Sequence, residues 1–519
     1  MELQEDPQLN NKRPVHYDEL ARIAETIERA LARRDFTRAA TIIDENFAAT
    51  FFSFPPHRTA EIFDQIVTNL ERPPPFLVTA HRIMRAAGAD LDNTRALTES
   101  FDGEDPSQLF VLSLFRVADF RMHGRIAEAV EQVDSAEAHL AHPSFNAQQR
   151  RSWMVHANIQ IGVTTMLAGD FTRALSAFMR AQMLPAAPPF SFLEREAIVK
   201  SALIHASFGN ATTADGLLKR TGRIQRTSSW VETHLDAQEE FVRILTYSGD
   251  VEEALDRLEA ISLQDIGEMW PFYIVALHRS LEASGHHDEL ELQLEMIDTL
   301  PYPRIDGEGF TGSVIPLKRA MVALRVGRGA KAVRFLERAD PKLTYTKLVK
   351  AATDLYLGRT QQALDQAHEL RKETRGFRLM EIRRLSILAT AQHMRSDYNA
   401  CIETLRWAAS LPRGLSPHET LLFNTDMQQL AAEHVETWPQ PPSAKPIFLP
   451  DLPKPGRALT GREIEILELL ALGHSRAEIA EQLFISVSTV KTQLQSLYRK
   501  LDVSSAADAL FEGERRGVI

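Results

Sequence analysis

The stretch SVSTVKTQLQSLYRKL, from Ser486 to Leu501, has the pattern of an amphipathic helix whose two faces differ in chemistry. Its apolar residues recur every three or four positions, at Val490, Leu494, Leu497 and Leu501. This spacing places them on one stripe that faces a core. The stretch holds three basic residues and no acidic one, and Ser486 is suited to cap the helix start. A helix of this composition can enter the major groove of DNA without repelling the phosphates.

Three more helices are predicted around this one. Thr460 and Glu463 have the spacing of a capping box, and the helix that they open ends at Gly473. A second helix is predicted from Arg476 to Leu483, and a fourth from about Ser505 to Gly513. The positions expected to face the core of the first two helices are Ile466, Leu467, Leu470, Ile479, Ala480 and Leu483. The region from 458 to 519 is therefore predicted to form a compact four-helix module.

This module resembles the LuxR-type helix-turn-helix regulators. The matching elements, in order over some 60 residues, are Leu459-Thr460-Gly461-Arg462-Glu463, Gly473, Glu478-Ile479-Ala480, Leu483-Phe484-Ile485-Ser486, Ser488-Thr489-Val490-Lys491-Thr492 and Tyr498-Arg499-Lys500-Leu501. The resemblance implies that Lys491, Thr492 and Gln495 read bases in double-stranded DNA. It implies that the DNA backbone is held by Ser488, Thr489, Ser496, Arg499 and Lys500. The alternative, a helical bundle that never touches DNA, is disfavoured by the basic face.

The fourth helix is where the family pairs two copies onto inverted half-sites. The resemblance therefore implies a homodimer whose contacts are Ala507, Leu510 and Phe511, although Leu510 could instead complete the core of its own module. Two positions depart from the family pattern: Gln493 stands where His is common, and Ala506 where Arg is common. The change at 506 weakens the transfer of any backbone or partner contact made at that position.

Net charge separates this module from the rest of the chain. The 519 residues carry a charge of −11, of which −1 belongs to residues 456–519 and −10 to the remainder. DNA affinity must then come from one local face, so it should be weak for a monomer and sensitive to salt. A single cysteine, Cys401, excludes intramolecular disulfides. With no signal-peptide core and no run of eighteen apolar residues, the sequence predicts a cytoplasmic protein without a membrane span.

A repeated pattern organises the long N-terminal part: a helix ends at a small residue, and an Ala-rich helix begins after a short polar turn. Gly169-Asp170-Phe171-Thr172-Arg173-Ala174 is one clear copy. Other clear copies begin at Arg34, Gly124, Gly249 and Gly358, and weaker ones at Gly88, Gly209, Gly285, Gly327 and Ser396. From Gly124 to Ser396 the steps range from 31 to 45 residues. A period near 40 with two helices per repeat predicts helix hairpins stacked into a solenoid.

This pattern resembles degenerate tetratricopeptide repeats over roughly residues 15–435. The fold class is therefore predicted to be all-α, an α-solenoid followed by the helix-turn-helix module. We predict a disordered tail at 1–14, repeats at 15–436, a linker at 437–456 and the DNA-binding domain at 457–519. The linker holds seven prolines and should be extended and semi-rigid, with Ile447, Phe448 and Leu449 apolar enough to dock on a neighbour.

Catalytic and cofactor motifs are missing from the sequence. It has no Gly-Lys-Ser or Gly-Lys-Thr of a P-loop, no His-Glu-x-x-His and no Gly-x-Ser-x-Gly. His286 and His287 are adjacent and diverge on a helix, which disfavours a metal site. We therefore expect no enzyme, no cofactor and no metal. A groove for a ligand or partner would lie on the solenoid, where Trp270, Phe272 and Tyr273 form the densest aromatic stretch, although these rings could simply pack between repeats.

The sequence favours a transcription regulator whose repeat domain senses a signal and controls the DNA-binding module. A protein-interaction scaffold with an auxiliary DNA-binding module is the alternative. The effector could be a peptide, a small molecule or a protein, and the sequence specifies neither the operator nor the direction of regulation.

Overall fold

The structure, a computed structural model, describes residues 19–86, 106–140, 147–184, 189–247, 251–442, 444–452 and 459–519. All regular secondary structure in these ranges is helical, which confirms the all-α prediction. The expected disordered tail at 1–14 and the repeat copies at Gly88 and Gly249 lie outside the described residues. Within the described part of the chain, no helix is both long and apolar enough to cross a membrane.

The chain forms two compact units. The first comprises residues 1–206, 211–248 and 256–273, and the second comprises 207–210, 249–255 and 274–519. Up to residue 266 the helices are α1 (Glu19–Ala32), α2 (Phe36–Glu45), α3 (Phe47–Ser53), α4 (Pro56–Asn69), α5 (Pro75–Ala86), α6 (Pro106–Met122), α7 (Ile126–Leu140), α8 (Ala147–Ala168), α9 (Phe171–Met183), α10 (Ser191–Phe208), α11 (Ala211–Thr221), α12 (Val231–Thr246), α13 (Val251–Glu259) and α14 (Leu263–Ile266).

A short 3-10 turn at Gly267–Met269 precedes the remaining helices. They are α15 (Trp270–Ser284), α16 (His287–Thr299), α17 (Gly309–Arg325), α18 (Gly329–Leu336), α19 (Thr344–Tyr356), α20 (Thr360–Glu369), α21 (Arg378–Met394), α22 (Tyr398–Ala409), α23 (Pro417–Thr420), α24 (Thr425–His434), α25 (Gly461–Ala471), α26 (Arg476–Gln482), α27 (Val487–Leu501) and α28 (Ala506–Arg515). The second unit therefore includes both repeat hairpins and the C-terminal module.

The predicted repeat turns lie between the two helices of successive hairpins. Gly169 separates α8 from α9 with φ = 87°, and Gly358 separates α19 from α20 with φ = 77°. This left-handed conformation suits glycine because it has no Cβ. Arg34 and Ser396 occupy the same kind of turn, with φ of 56° and 62°. The solenoid expected from the spacing is confirmed as a succession of antiparallel helix hairpins.

The residues after each turn have two separate structural roles. Asp35, Asp170 and Asp397 are N-caps, and their side chains accept hydrogen bonds from the backbone N–H three residues later. The alanine in each of the five clear copies is buried, as predicted for a close helix crossing. These alanines are Ala39, Ala129, Ala174, Ala254 and Ala363. The sequence motif is thus a cap followed by a packing position.

The proline-rich segment is attached to the last repeat hairpins. Phe448 and Leu449 are buried, and the Ile447 N–H donates to the Leu421 carbonyl at 2.7 Å. Asp451 accepts hydrogen bonds from the backbone N–H and the hydroxyl of Thr425, at 3.0 and 3.1 Å. The docking expected for the apolar residues of the linker is therefore present, and it fixes the chain in place up to residue 452.

Candidate DNA-binding surface and ligand cavity

The C-terminal module is held by caps at its helix starts and by an apolar centre. Thr460 and Glu463 form the predicted capping box at α25, and Ser486 caps α27 as expected. A second box at α26, Ser475 with Glu478, was not predicted, although its Ser-x-x-Glu spacing is visible in the sequence. The four apolar residues of α27 are each at most 3% exposed. They pack against α25, α26 and α28.

The opposite face of α27 is exposed and polar. Lys491, Thr492, Gln495 and Arg499 are all exposed on this helix. At its N-terminus the Ser486 hydroxyl lies 2.7 Å from the Ser488 hydroxyl and 2.8 Å from that of Thr489. Clustered hydroxyls at a helix N-terminus suit contact with a phosphate, because the helix dipole favours negative charge there. The predicted base-reading and phosphate residues thus share one surface, with two exceptions.

Ser496 and Lys500, which are predicted to contact the DNA backbone, make hydrogen bonds within the module. The Ser496 hydroxyl donates to Glu463 Oε1 at 2.9 Å, and Lys500 Nζ donates to Glu463 Oε2 at 2.7 Å. Glu463 is 2% exposed. Burial would raise its pKa, but the hydrogen bonds from Lys500, Thr460 and Ser496 bring the pKa down to about 2. Both side chains therefore join α27 to α25, and their contact with the DNA backbone stays a prediction.

The predicted dimer contacts on α28 differ in exposure. Ala507 is exposed and Phe511 is 54% exposed, whereas Leu510 is half-buried against the core of its own module. Glu512 pairs with Arg515 and with Arg516, and Arg516 also donates to the Leu501 carbonyl at 3.2 Å. These contacts join the end of α28 to the end of α27. Leu510 thus serves the module core, which was the alternative considered for it.

The same helix packs on the repeats of the second unit. A Cβ built at Gly327 would lie 3.5 Å from Phe511 Cζ, and one at Gly329 would lie 3.0 Å from the Arg515 carbonyl oxygen. Arg515 also hydrogen-bonds to the side chain of Tyr356, where burial raises the tyrosine pKa to about 12. A Cβ at Gly517 would come within 2.5 Å of Leu357. Small residues therefore let the C-terminal module approach the turns of two hairpins.

Comparison with known proteins agrees with this geometry. Residues 457–511 match the family described as bacterial regulatory proteins, luxR family. Over 65 residues, 12% of this chain and 31% of the relative, the sequence is 43% identical to the transcriptional regulatory protein LiaR of Bacillus subtilis (strain 168). Over 61 residues, 12% of this chain and 28% of the relative, it is 44% identical to the probable transcriptional regulatory protein NarL of Mycobacterium tuberculosis (strain ATCC 25618 / H37Rv).

The chain thus spans about three tenths of the length of the curated relatives that it matches. A solved structure, the APC/C hetero-tetramer Cut9-Hcn1, covers 95% of this chain and 96% of its own, with a TM-score of 0.33 and 14% identity. The C-terminal module is a LuxR-type helix-turn-helix domain.

The aromatic groove expected at residues 270–273 is not built by those side chains. Trp270 is 3% exposed and Phe272 is fully buried, while the half-buried Tyr273 packs edge-on against Phe241 with ring centroids 6.1 Å apart. These rings lie on the apolar side of a packed helix. Their burial stabilises the fold and leaves little of their surface for a ligand. Packing between repeats, the alternative considered for this stretch, describes them better.

A cavity of about 580 Å³ lies instead within the first unit. Most of its wall is apolar or aromatic, from Phe47, Phe51, Phe52, Phe115 and Trp230 among others. The Trp230 indole donates to the Phe51 carbonyl at 3.0 Å, and Phe52 stacks on His156 with ring centroids 5.1 Å apart. The sequence reasoning missed this cavity; the available signal was FAATFFSF at 47–54, with four phenylalanines in eight residues.

Four charged groups of the cavity wall form two ion pairs. Arg121 makes a two-pronged contact with Glu268, at 2.9 and 3.2 Å, and Lys200 donates to Glu196 at 2.8 Å. Gln160 Oε1 is buried and has no hydrogen-bond partner within the described part of the chain. The wall therefore offers a large apolar surface, two ion pairs, the Asp119 carboxylate beside His123 and the Gln160 acceptor. Such a cavity suits a largely apolar small molecule with a hydrogen-bond donor.

Proposed function

We propose that this protein is a sequence-specific DNA-binding transcription regulator whose helical repeats sense an effector and control the C-terminal module. The observation that carries the proposal is the exposed face of α27, where Lys491, Thr492, Gln495 and Arg499 project from a helix without acidic residues. Lysine and glutamine can recognise guanine and adenine edges in the major groove. Arg499 and the N-terminal hydroxyls then fix the helix on the phosphates. A bacterial operator would place the protein in the cytoplasm.

The protein is proposed to act as a homodimer. The charge of −1 on residues 456–519 gives a single module little attraction for DNA, so two modules on paired half-sites are needed for useful affinity. Ala507 and Phe511 are the exposed candidates for the contact. Leu510 supports them from the core side.

Control by the repeats is proposed to operate through α28. Phe511 and Arg515 on this helix face Gly327 and Gly329 of the repeats, so one helix is shared between the repeats and the proposed dimer contact. Phe511 is 54% exposed beside Gly327, so a second copy would meet α28 at the edge of this docking contact. An effector that favours the undocked arrangement would shift the population toward a dimer competent to bind DNA.

We further propose that the cavity of the first unit holds this effector. A small molecule fits better than an extended peptide because the space is about 580 Å³ and is lined mainly by aromatic side chains. Gln160 Oε1 would accept a hydrogen bond from the bound molecule.

The proposed function is tested by capturing genomic DNA fragments with the purified full-length protein, with and without cell extract. Wild type should enrich a common sequence, and the variants Lys491→Ala and Gln495→Ala should lose preference at individual positions, each at a cost of about 1–3 kcal/mol. Lys372→Ala, an exposed change in the repeats, is the matched control. Equal affinity and preference in wild type and both α27 variants would contradict the proposal.

A further inference from the structure

The second unit contains a cluster of cationic side chains that the proposed DNA and effector sites do not use. The helices α15, α17, α19 and α21 are the first helices of four consecutive hairpins, and several of them pack side by side. They bring together four cations: Arg279, Lys318, Arg325 and Arg383. Lys318 is 4% exposed and Arg383 is 7% exposed. Buried charges of one sign normally require a compensating partner.

The described residues supply little compensation. Glu282 accepts from Arg325 at 3.3 Å and is the carboxylate that these residues place within the cluster. Lys318 Nζ donates to the Tyr345 hydroxyl at 3.1 Å, which is a neutral partner. Arg279 donates to the Ser207 carbonyl at 2.9 Å. Four cations therefore share one carboxylate, leaving an excess of positive charge.

Arg383 shows the deficit most clearly. Its Nε and Nη1 atoms are buried, and neither has a hydrogen-bond partner among the residues that the structure describes. The guanidinium instead lies over two rings, 5.5 Å from the centroid of Tyr345 and 5.4 Å from that of Phe448. A ring face attracts the cation but offers no acceptor to the N–H groups, which lie in the guanidinium plane. Buried donors of this kind require an acceptor, which a water molecule or a bound anion can supply.

The titration behaviour of the neighbours agrees with a positive local potential. Burial and the neighbouring Arg383 together lower the pKa of Arg279 to about 10. Burial alone would raise the pKa of Tyr345, yet Lys318 and Arg383 bring it below its usual value. Both effects have the sign expected beside uncompensated cations.

We propose that Arg383, Lys318 and Arg279 form a binding site for a small anion, the phosphate or carboxylate group of a metabolite. The planar fork of Arg383 matches the two oxygens of either group, and Lys318 adds a point charge. The ligand must be small because the two Arg383 nitrogens that lack partners are buried beside the Tyr345 ring.

The site is connected to the segment that leads into the DNA-binding module. Phe448, which stacks on Arg383, lies between the last repeat hairpins and α25. An anion bound in the plane of Arg383 would add to the contacts that hold this segment against the repeats. This connection rests on the proposed function, whereas anion binding itself does not.

Binding is tested on the full-length protein by isothermal titration with inorganic phosphate and, separately, with acetate at matched ionic strength. Phosphate binding with acetate much weaker identifies a phosphate site, and the reverse identifies a carboxylate site. Arg383→Met and Lys318→Met should each weaken the preferred anion at least tenfold. Lys347→Met is the matched control because Lys347 pairs with Glu373 at the surface. This variant should bind the anion with the affinity of wild type.

Thermal unfolding without added anion shows whether a variant that binds poorly has lost the binding site or has lost its fold. Because an uncompensated buried cation is destabilising, Arg383→Met should unfold at the same or a higher temperature than wild type while losing the shift produced by the anion. The proposal is overturned if neither anion binds below about 10 mM. It is equally overturned if both variants retain wild-type affinity. DNA affinity measured with and without the anion tests the connection through Phe448 separately.

Discussion

Lys500 Nζ donates a 2.7 Å hydrogen bond to Glu463 Oε2, which joins the end of α27 to the start of α25, the first helix of the module. Glu463 also closes the capping box with Thr460 and accepts from Ser496. One buried carboxylate therefore sets the position of α27 relative to α25. The orientation of the exposed polar face of α27 depends on this contact, although Glu463 lies on a different helix.

Lys500→Ala and Arg499→Ala should separate stability from DNA binding. Loss of Lys500 leaves Glu463 buried without its ammonium partner and should cost about 2 kcal/mol of module stability. Arg499 is exposed, so its loss should leave stability within about 0.5 kcal/mol of wild type but reduce the salt dependence of DNA binding by about one phosphate contact. Chemical denaturation and salt titrations of operator affinity measure the two effects. The same phenotype for both variants would contradict the assignment.

Acid should destabilise the module through Glu463. Its folded-state pKa of about 2 lies below the ordinary value of 4.5, so the stabilisation is present above about pH 4.5 and is lost as the pH falls towards 2. Glu463→Gln should lower stability at neutral pH and flatten this dependence. Hydrogen exchange of the full-length protein, followed in a peptide from α27 between pH 7 and pH 3, measures this loss of module stability. Glu465→Gln, at an exposed position, serves as the control and should follow wild type.

Leu357→Lys should release the C-terminal module from the repeats. Leu357 contacts the backbone at Gly517, and a lysine there would remove apolar contact and add a charge beside Arg515. If docking masks the dimer contact, operator affinity of the full chain should rise about tenfold, equivalent to a coupling of about 1.4 kcal/mol. Leu292→Lys, on the exposed surface of α16, is the control. Unchanged affinity in Leu357→Lys would remove docking as the means of control and favour the scaffold alternative.

His156 should make the first unit sensitive to mildly acidic pH. Burial lowers its pKa to about 4 from 6.5, so the folded state resists protonation. Stability should be full above pH 6.5 and decline as the pH falls through that value towards 4, with a total loss of about 3 kcal/mol from this group. His156→Phe should retain the stacking on Phe52 and weaken the decline. Urea unfolding at pH 7.5 and pH 5 compares the two proteins, and an equal decline in both would contradict the prediction.

The local features of the module were predictable because they depend on residues close in sequence. The cap at Thr460, the turn at Gly473 and the apolar stripe of α27 follow from hydrogen bonding and helix periodicity over a few residues. The repeat turns were predictable for the same reason. At Ser396, a weak copy of the motif, the backbone adopts the same left-handed turn as at Gly358.

Contacts between distant residues were decided by tertiary structure alone. The sequence presents Lys500 and Arg499 as equivalent basic residues, but only folding places Glu463 beside one of them. Likewise, the cavity combines Phe51, Gln160 and Trp230 from three separate segments, and the cationic cluster combines Lys318 with Arg383 from different hairpins. The physical reason is that capping and periodicity act within one helix, whereas burial and charge pairing depend on which helices meet. The sequence by itself determined the helices, the order of the hairpins and the class of the DNA-binding module; the tertiary structure decided which polar side chains remain available to a ligand.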